Sequence, residues 1–325
     1  MHYNHIDILK GIGIILVVLG HLIGGYGNDI IFLFHMPLFF FISGFLFRKQ
    51  KLKTYLSKKN IALLIPYFVF LSVLYPYYYQ LEESQNILKY LAKAFMGGVF
   101  LNKGLIAFWF ITCLFLTQQL FNLLINKIKS DKTLGVIMLL CLLISYINSE
   151  FYGNLWLPWS ANVIFAAIPF FYCGHLAQNN KFKIPFYLLI ICFITILTLI
   201  YFIPDLSYDM KSSNYGIPFI SFFMSLVLII FLKSLSENLL GVTFISKYLK
   251  YLGHRSLVIM FLHQPIIIFL SQYFSTHLII KLIMSITISC IFYFLFNRFS
   301  ISRILFLGST RDFYNLWGQK ITNDK

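Results

Sequence analysis

Charge is scarce in this chain: of 325 residues only 11% are Asp, Glu, Lys or Arg, while 59% are apolar. An average soluble domain carries about a quarter charged residues, so a water-facing surface cannot be assembled from this composition. Cysteine offers no framework either. Cys113, Cys141, Cys173, Cys192 and Cys290 stand singly inside apolar runs, without a CxxC, which argues against a disulfide scaffold or a Cys-ligated metal and leaves them as small packing residues. There is no GxxxxGK followed by Ser or Thr, no GxSxG, no HExxH and no Cys/His metal spacing, so a nucleotide-driven pump, an α/β-hydrolase, a zincin and any resident metal are all disfavoured. Internal repeats and low-complexity tracts are absent as well.

What the chain has in quantity is apolar sequence long enough to cross a hydrocarbon core of about 30 Å, which takes around 20 residues of helix. The runs are continuous and do not alternate, which indicates helices and not a barrel. Ten spans are predicted: Ile8 to Gly25, Ile31 to Phe47, Ile61 to Tyr79, Leu105 to Ile125, Leu134 to Ile147, Asn162 to Ala177, Pro185 to Ile203, Ile217 to Leu232, Ser256 to Tyr273 and Ile279 to Phe296. The first begins almost at Met1 with no small-residue cleavage pattern behind it, and reads as a retained span and not a signal peptide. A short surface helix is expected around Ile87 to Phe95, in the loop from Glu82 to Gly104.

The excess of 26 Lys and Arg over 11 Asp and Glu does not point to nucleic acid, because the basic residues sit in short clusters between apolar runs. Membrane lipid is the surrounding partner, and the clusters record orientation. With these spans, 21 of the 26 basic residues fall on one face, among them Arg48, Lys58 and Lys59, and only Lys89, Lys93, Lys103, Lys211 and Lys281 on the other. The positive-inside rule makes the basic face, and both termini, cytoplasmic. Loops holding Asp29, Glu82, Glu83, Glu150, Asp205 and Asp209 then face out. The predicted fold is an all-α integral membrane protein, a bundle of about ten transmembrane helices, with residues 1–306 as the membrane domain and 307–325 as a cytoplasmic tail.

An ionisable side chain inside a span is costly and is a functional candidate by default. Asp7, Lys10 and His21 are spaced by three and eleven residues, so all three project from one face of the first helix, with His21 about 16 Å above Lys10. His35 and Ser43 lie in the second span, in FHMPLFFFISGFLF. By the charge rule His21 and His35 both sit near the outer surface and can meet in one site. Burial disfavours an imidazolium, so a histidine there is a neutral proton acceptor, as a general base must be. His263, in FLHQP, is either a packing residue or a substrate contact; His175 and His277, near span ends, read as packing residues, and Trp109 and Trp156 as packing or interface aromatics. The basic run from Arg48 to Lys59 is a topology signal that can also hold a polyanion.

The segments DILKGIGIILVVLGH, FHMPLFFFISGFLF, the basic loop with LLIPYF, then FWFITCLF, IPFFYCGHLA and YLGHRSLVIMFLHQP resemble, in order, the acyltransferase 3 family of membrane O-acyltransferases, most of all the bacterial fucose 4-O-acetylase group. The likeness runs to about Phe306. It implies transfer of an acyl group, usually acetyl from cytoplasmic acetyl-CoA, to a hydroxyl of a glycan or lipid-linked oligosaccharide at the bacterial inner membrane. The family's motif of a basic residue, a ten-residue gap and a histidine is matched by Lys10 and His21, and its FH..LFF..SG motif by His35, Ser43 and Gly44. Before the third span Lys58 and Lys59 match the basic motif, while Asn60 and Ala62 stand where a second arginine is common.

On that resemblance the donor's phosphates are expected near Lys58, Lys59 and Arg48, and its arm past Lys10, held by Asp7. His21 is the expected general base or acetyl carrier, His35 or Ser43 orients a reactant or stabilises the oxyanion, and Trp109 and His263 are acceptor contacts. The rival reading is a transporter of a glycan or small solute that does no chemistry. Substrate-coupled transporters often show paired halves, and no repeat is found here.

Overall fold

The computed structural model describes residues 3–80, 86–101, 103–153, 155–179, 184–274 and 277–318. Glu82, Glu83, Lys181, Lys183, Lys320 and Lys325, used in the charge distribution above, lie outside the described residues. The described chain is helical, without a strand: α1 (Asn4–Gly20), α2 (Tyr26–Phe45), α3 (Leu52–Lys59), a π-turn (Asn60–Leu64), α4 (Ile65–Gln80), α5 (Ile87–Met96), α6 (Trp109–Lys127), α7 (Asp131–Tyr152), α8 (Ile164–Asn179), α9 (Phe186–Phe202), α10 (Ile220–Asn238), α11 (Thr243–Tyr273), α12 (Leu278–Phe296), α13 (Ser300–Leu307) and α14 (Thr310–Leu316).

Each of the ten predicted spans coincides with one long helical stretch. Eight of these are at least 18 residues long and apolar enough to cross a membrane; α1 and α9 have 17 residues each. Their outer surfaces are apolar. In α12 only 17% of the most apolar window is buried, and Phe151, Phe202 and Phe294 are 70% exposed or more. Water does not tolerate so large an apolar surface, so its solvent is lipid and the protein is an all-α integral membrane protein.

The helix ends differ from several of the predicted spans. The first helix stops at Gly20, leaving His21 as its C-cap with φ −87° and ψ −6°, because Gly24 and Gly25 follow and glycine loses the most backbone freedom in a helix. The third span starts at Leu52, not Ile61, since α3, the π-turn and α4 form one helical stretch from Leu52 to Gln80. The ninth begins at Thr243, not Ser256, which makes Lys247, Lys250, His254 and Arg255 helical.

The chain divides into two compact units. One holds Met1–Phe47, Gly135–Leu155 and Phe165–Ser256. Within it α1 and α2 are antiparallel neighbours: Gly13 lies against Leu38 and Phe39, and Gly20 against Ile31 and Phe32. These contacts define a register in which paired positions sum to about 52. The same unit has two backbone-to-backbone crossings. In α2, Phe41 and Gly44 face Phe171 and Gly174 of α8, and each glycine sits on the opposite phenylalanine's carbonyl so closely that a β-carbon would overlap the oxygen. Both helices thus use the same F-x-x-G segment, FISG and FYCG. Gly11 of α1 and Gly253 of α11 cross in the same reciprocal way, against Leu249 and Asp7. Small residues are what let membrane helices approach to this distance.

The other unit holds Arg48–Leu134, Trp156–Ile164 and Leu257–Lys325. Its core includes a cluster in which Phe70 stacks on Phe261 at 4.6 Å and meets Phe296 and Phe306 edge-on at 5.9 and 5.4 Å. The expected surface helix is α5, capped by the Asn86 side chain, which accepts from the Lys89 N–H at 3.1 Å. Leu88 and Phe95 of α5 are 75% and 83% exposed. Its buried Tyr90 stacks on Tyr75 at 3.8 Å, each hydroxyl donating to the other's carbonyl at 2.6 Å.

Candidate active site

His35 is buried one turn below Ile31 in α2, and its Nδ1 lies 2.9 Å from the Ile31 carbonyl oxygen. A carbonyl can only accept, so Nδ1 carries the proton and Nε2 of the neutral ring presents its lone pair. His263 in α11 repeats the arrangement, with Nδ1 2.8 Å from the Ile259 carbonyl oxygen. Proline stands two residues after each histidine, in His35-Met36-Pro37 and His263-Gln264-Pro265. The shared H-x-P pattern was visible in the sequence; the common tautomer was not.

His21 follows the last turn of α1 and is half-buried. Its ring is edge-on to Phe32 at 5.8 Å, and His35 lies against the same Phe32 at 4.7 Å. The two imidazoles expected to share a site therefore border one phenyl ring. The α1–α2 register accounts for this, since position 21 of one helix falls beside positions 31 and 32 of the other.

Ser43 is eight residues further along α2 than His35, about 12 Å by helix rise. The register sets it level with residue 9 of α1, and not with the histidines. Asp7 accepts from Lys10 Nζ at 3.3 Å, which is the i to i+3 pair expected from the spacing. The structure adds His254, whose Nε2 is 3.9 Å from the other Asp7 oxygen. Gly253 brings it there by packing on the Asp7 backbone. A second set of charges lies nearby in sequence, with Lys233 2.6 Å from Glu237 and His5 Nε2 3.9 Å from the same carboxylate. Nothing in the local sequence singles out His254 except its place in YLGHRS.

In the other unit Arg48 is an exposed loop residue and Lys58 and Lys59 end α3, both half-buried. Lys59 Nζ stands 5.3 Å from the ring centroid of the buried Tyr55, one turn earlier. The π-turn begins at Asn60 directly after them. Its sequence signal is Pro66: proline has no N–H to give the Ala62 carbonyl four residues back, and a π-bulge is a local response that recurs at functional sites. The amides of α6 support this segment, with Asn122 accepting from the Gln50 N–H at 3.3 Å and Asn126 donating to the Gln50 carbonyl at 3.0 Å.

Of the two expected acceptor contacts, Trp109 is 3% exposed and His263 is fully buried. Among the described residues no group of three or more His, Cys, Asp or Glu is placed to hold a metal ion.

The sequence model of a family described as an acyltransferase domain matches residues 3–298. Comparison with curated proteins and with solved structures returned no match. The matched stretch contains all ten long helical stretches, both H-x-P histidines, the Asp7–Lys10 pair and the basic turn. By the extent of that match, the chain belongs to the acyltransferase 3 family of membrane acyltransferases.

Proposed function

We propose that the protein is a multi-pass O-acetyltransferase of the bacterial inner membrane that moves an acetyl group from cytoplasmic acetyl-CoA to a sugar hydroxyl. The acceptor is a surface polysaccharide such as an O-antigen, or its lipid-linked precursor, as in the fucose 4-O-acetylase group that the sequence resembles. The observation that carries this reading is the pair His21 and His35 on one Phe32 ring in a chain of this family.

In this reading the acceptor oxygen attacks the thioester carbonyl carbon while its proton passes to His21. The tetrahedral intermediate then collapses, the carbon–sulfur bond breaks, and the thiol leaves with the proton that His21 held. His35, with Nδ1 committed to Ile31, has only a lone pair to offer at Nε2. It therefore suits accepting from a neighbouring hydroxyl of the acceptor sugar, and not stabilising an oxyanion, which needs a donor. Lys58, Lys59 and Arg48 are assigned to the donor's phosphates on charge and sequence position, and Lys10, held by Asp7, to its arm.

The test is transfer of radiolabelled acetyl from acetyl-CoA to glycan in membranes bearing the wild type or His21→Ala. Label should reach glycan with the wild type and fall by about 10²- to 10⁴-fold in the variant, the usual worth of a general base. Equal labelling by the variant, or solute flux with no transfer by either, overturns the reading.

A further inference from the structure

The family match ends at residue 298, yet α13 and α14 beyond it are firmly built onto the unit that carries the basic turn. Phe306 of α13 stacks on Phe296 at 4.0 Å and meets Phe70 of α4 at 5.4 Å. Arg303 ties three elements together: it donates to the Asn297 carbonyl at 3.1 Å, to Ser300 Oγ at 3.0 Å, and twice to Asp312 at 2.8 Å.

From this base the segment reaches back at two points. Gly308 ends α13 in the left-handed region, φ 64°, and lies on the Ala62 backbone so closely that any β-carbon would overlap the carbonyl oxygen. That is the carbonyl deprived of its helical donor by Pro66. Tyr314 of α14 places its hydroxyl 3.2 Å from Ser57 Oγ. Lys58 and Lys59 lie between the two attachment points.

We propose that α13 and α14 form a clamp that positions Lys58 and Lys59 for the anionic groups of the acyl donor, with Gly308, Arg303 and Tyr314 as positioning residues; this rests on the donor site proposed above. The physical need is clear. A π-turn lacks the regular ladder that stiffens an α-helix, and lysine is a point charge on a flexible stem, so two ammonium groups aim at a phosphate only as well as their backbone is held.

The experiment uses the full-length protein in membranes, with acceptor saturating and two donors: acetyl-CoA, and S-acetylpantetheine, which lacks the phosphates of the nucleotide part. Gly308→Ala and Gly308→Asn both add the intruding β-carbon, though Asn tolerates a left-handed φ. Both should raise the acetyl-CoA KM about 10-fold, with kcat within about twofold and the S-acetylpantetheine KM unchanged, as for lost uniform binding. Tyr314→Phe, which removes one hydroxyl, should raise the acetyl-CoA KM about 2- to 3-fold and keeps the test alive if the glycine variants do not fold.

A brace without a positioning role would lower kcat or raise both KM values alike, and that result overturns the clamp. So does an unchanged acetyl-CoA KM in the Gly308 and Tyr314 variants while Lys58→Ala with Lys59→Ala raises it. If the double lysine variant itself leaves the acetyl-CoA KM unchanged in an active enzyme, the donor-site assignment falls, and the clamp with it.

Discussion

Arg303 grips Asp312 with two hydrogen bonds of 2.8 Å, one from Nε and one from Nη2. The paired guanidinium, helped by the Ser309 hydroxyl, holds the Asp312 carboxyl well below the usual carboxylate range, at about 2. The folded carboxyl is thus the stronger acid. Its contribution is fully present above the unfolded value, about 4, and is lost as pH falls through about 2. Hydrogen exchange in residues 310–316 should therefore be flat from pH 7 to about 5, after correction for intrinsic rates, and accelerate below about 4. An Asp312→Asn chain should exchange faster at neutral pH and show no such acid step.

His35 and His263 share a sequence pattern and a tautomer but differ in what they border, and substitution should separate them. His35→Gln should cut kcat about 100-fold or more with little change in donor KM, the pattern of a group that orients the acceptor for attack. His263→Ala should instead lower thermal stability by about 2 kcal/mol or more, through a cavity and a lost hydrogen bond, while the surviving folded enzyme keeps its kinetic constants. Steady-state kinetics together with melting in detergent read both effects. A His263 variant with normal stability and a raised acceptor KM would instead identify it as a substrate contact.

The reciprocal crossing of α2 and α8 leaves no room for a side chain at Gly44 or Gly174. Gly44→Val and Gly174→Val should each lower stability by about 1–3 kcal/mol, as overpacking does. The two losses should fall short of adding in the double variant, because one separation of the helices relieves both overlaps. Thermal melting in a single detergent is the measurement; full additivity would mean that the two contacts are independent.

How far the sequence alone reaches can be judged from particular residues. Continuous apolar runs of span length placed every long helical stretch, because burying backbone amides in lipid leaves helix as the solution for such runs. The i to i+3 spacing of Asp7 and Lys10 forecast their pair, since both partners sit on one helix and no distant contact is needed. The motifs around Lys10, His21, His35, Ser43 and Gly44 pointed to the acyltransferase family, and the family match agrees.

Other features depended on which helices meet. Ser43 lies level with residue 9 of α1 and not with His21 because glycines at 13 and 20 set the α1–α2 register. His254 reaches Asp7 only because Gly253 and Gly11 let α1 and α11 touch backbones. The expected cytoplasmic tail, residues 307–325, includes Gly308 and Tyr314, which bracket the basic turn. The division has a physical cause. Membrane insertion and helix formation are decided within each segment by its own hydrocarbon and its own ladder, so the linear order of residues suffices. Partner choice between helices turns on shape and close approach among residues far apart in the chain, which only the folded arrangement brings together.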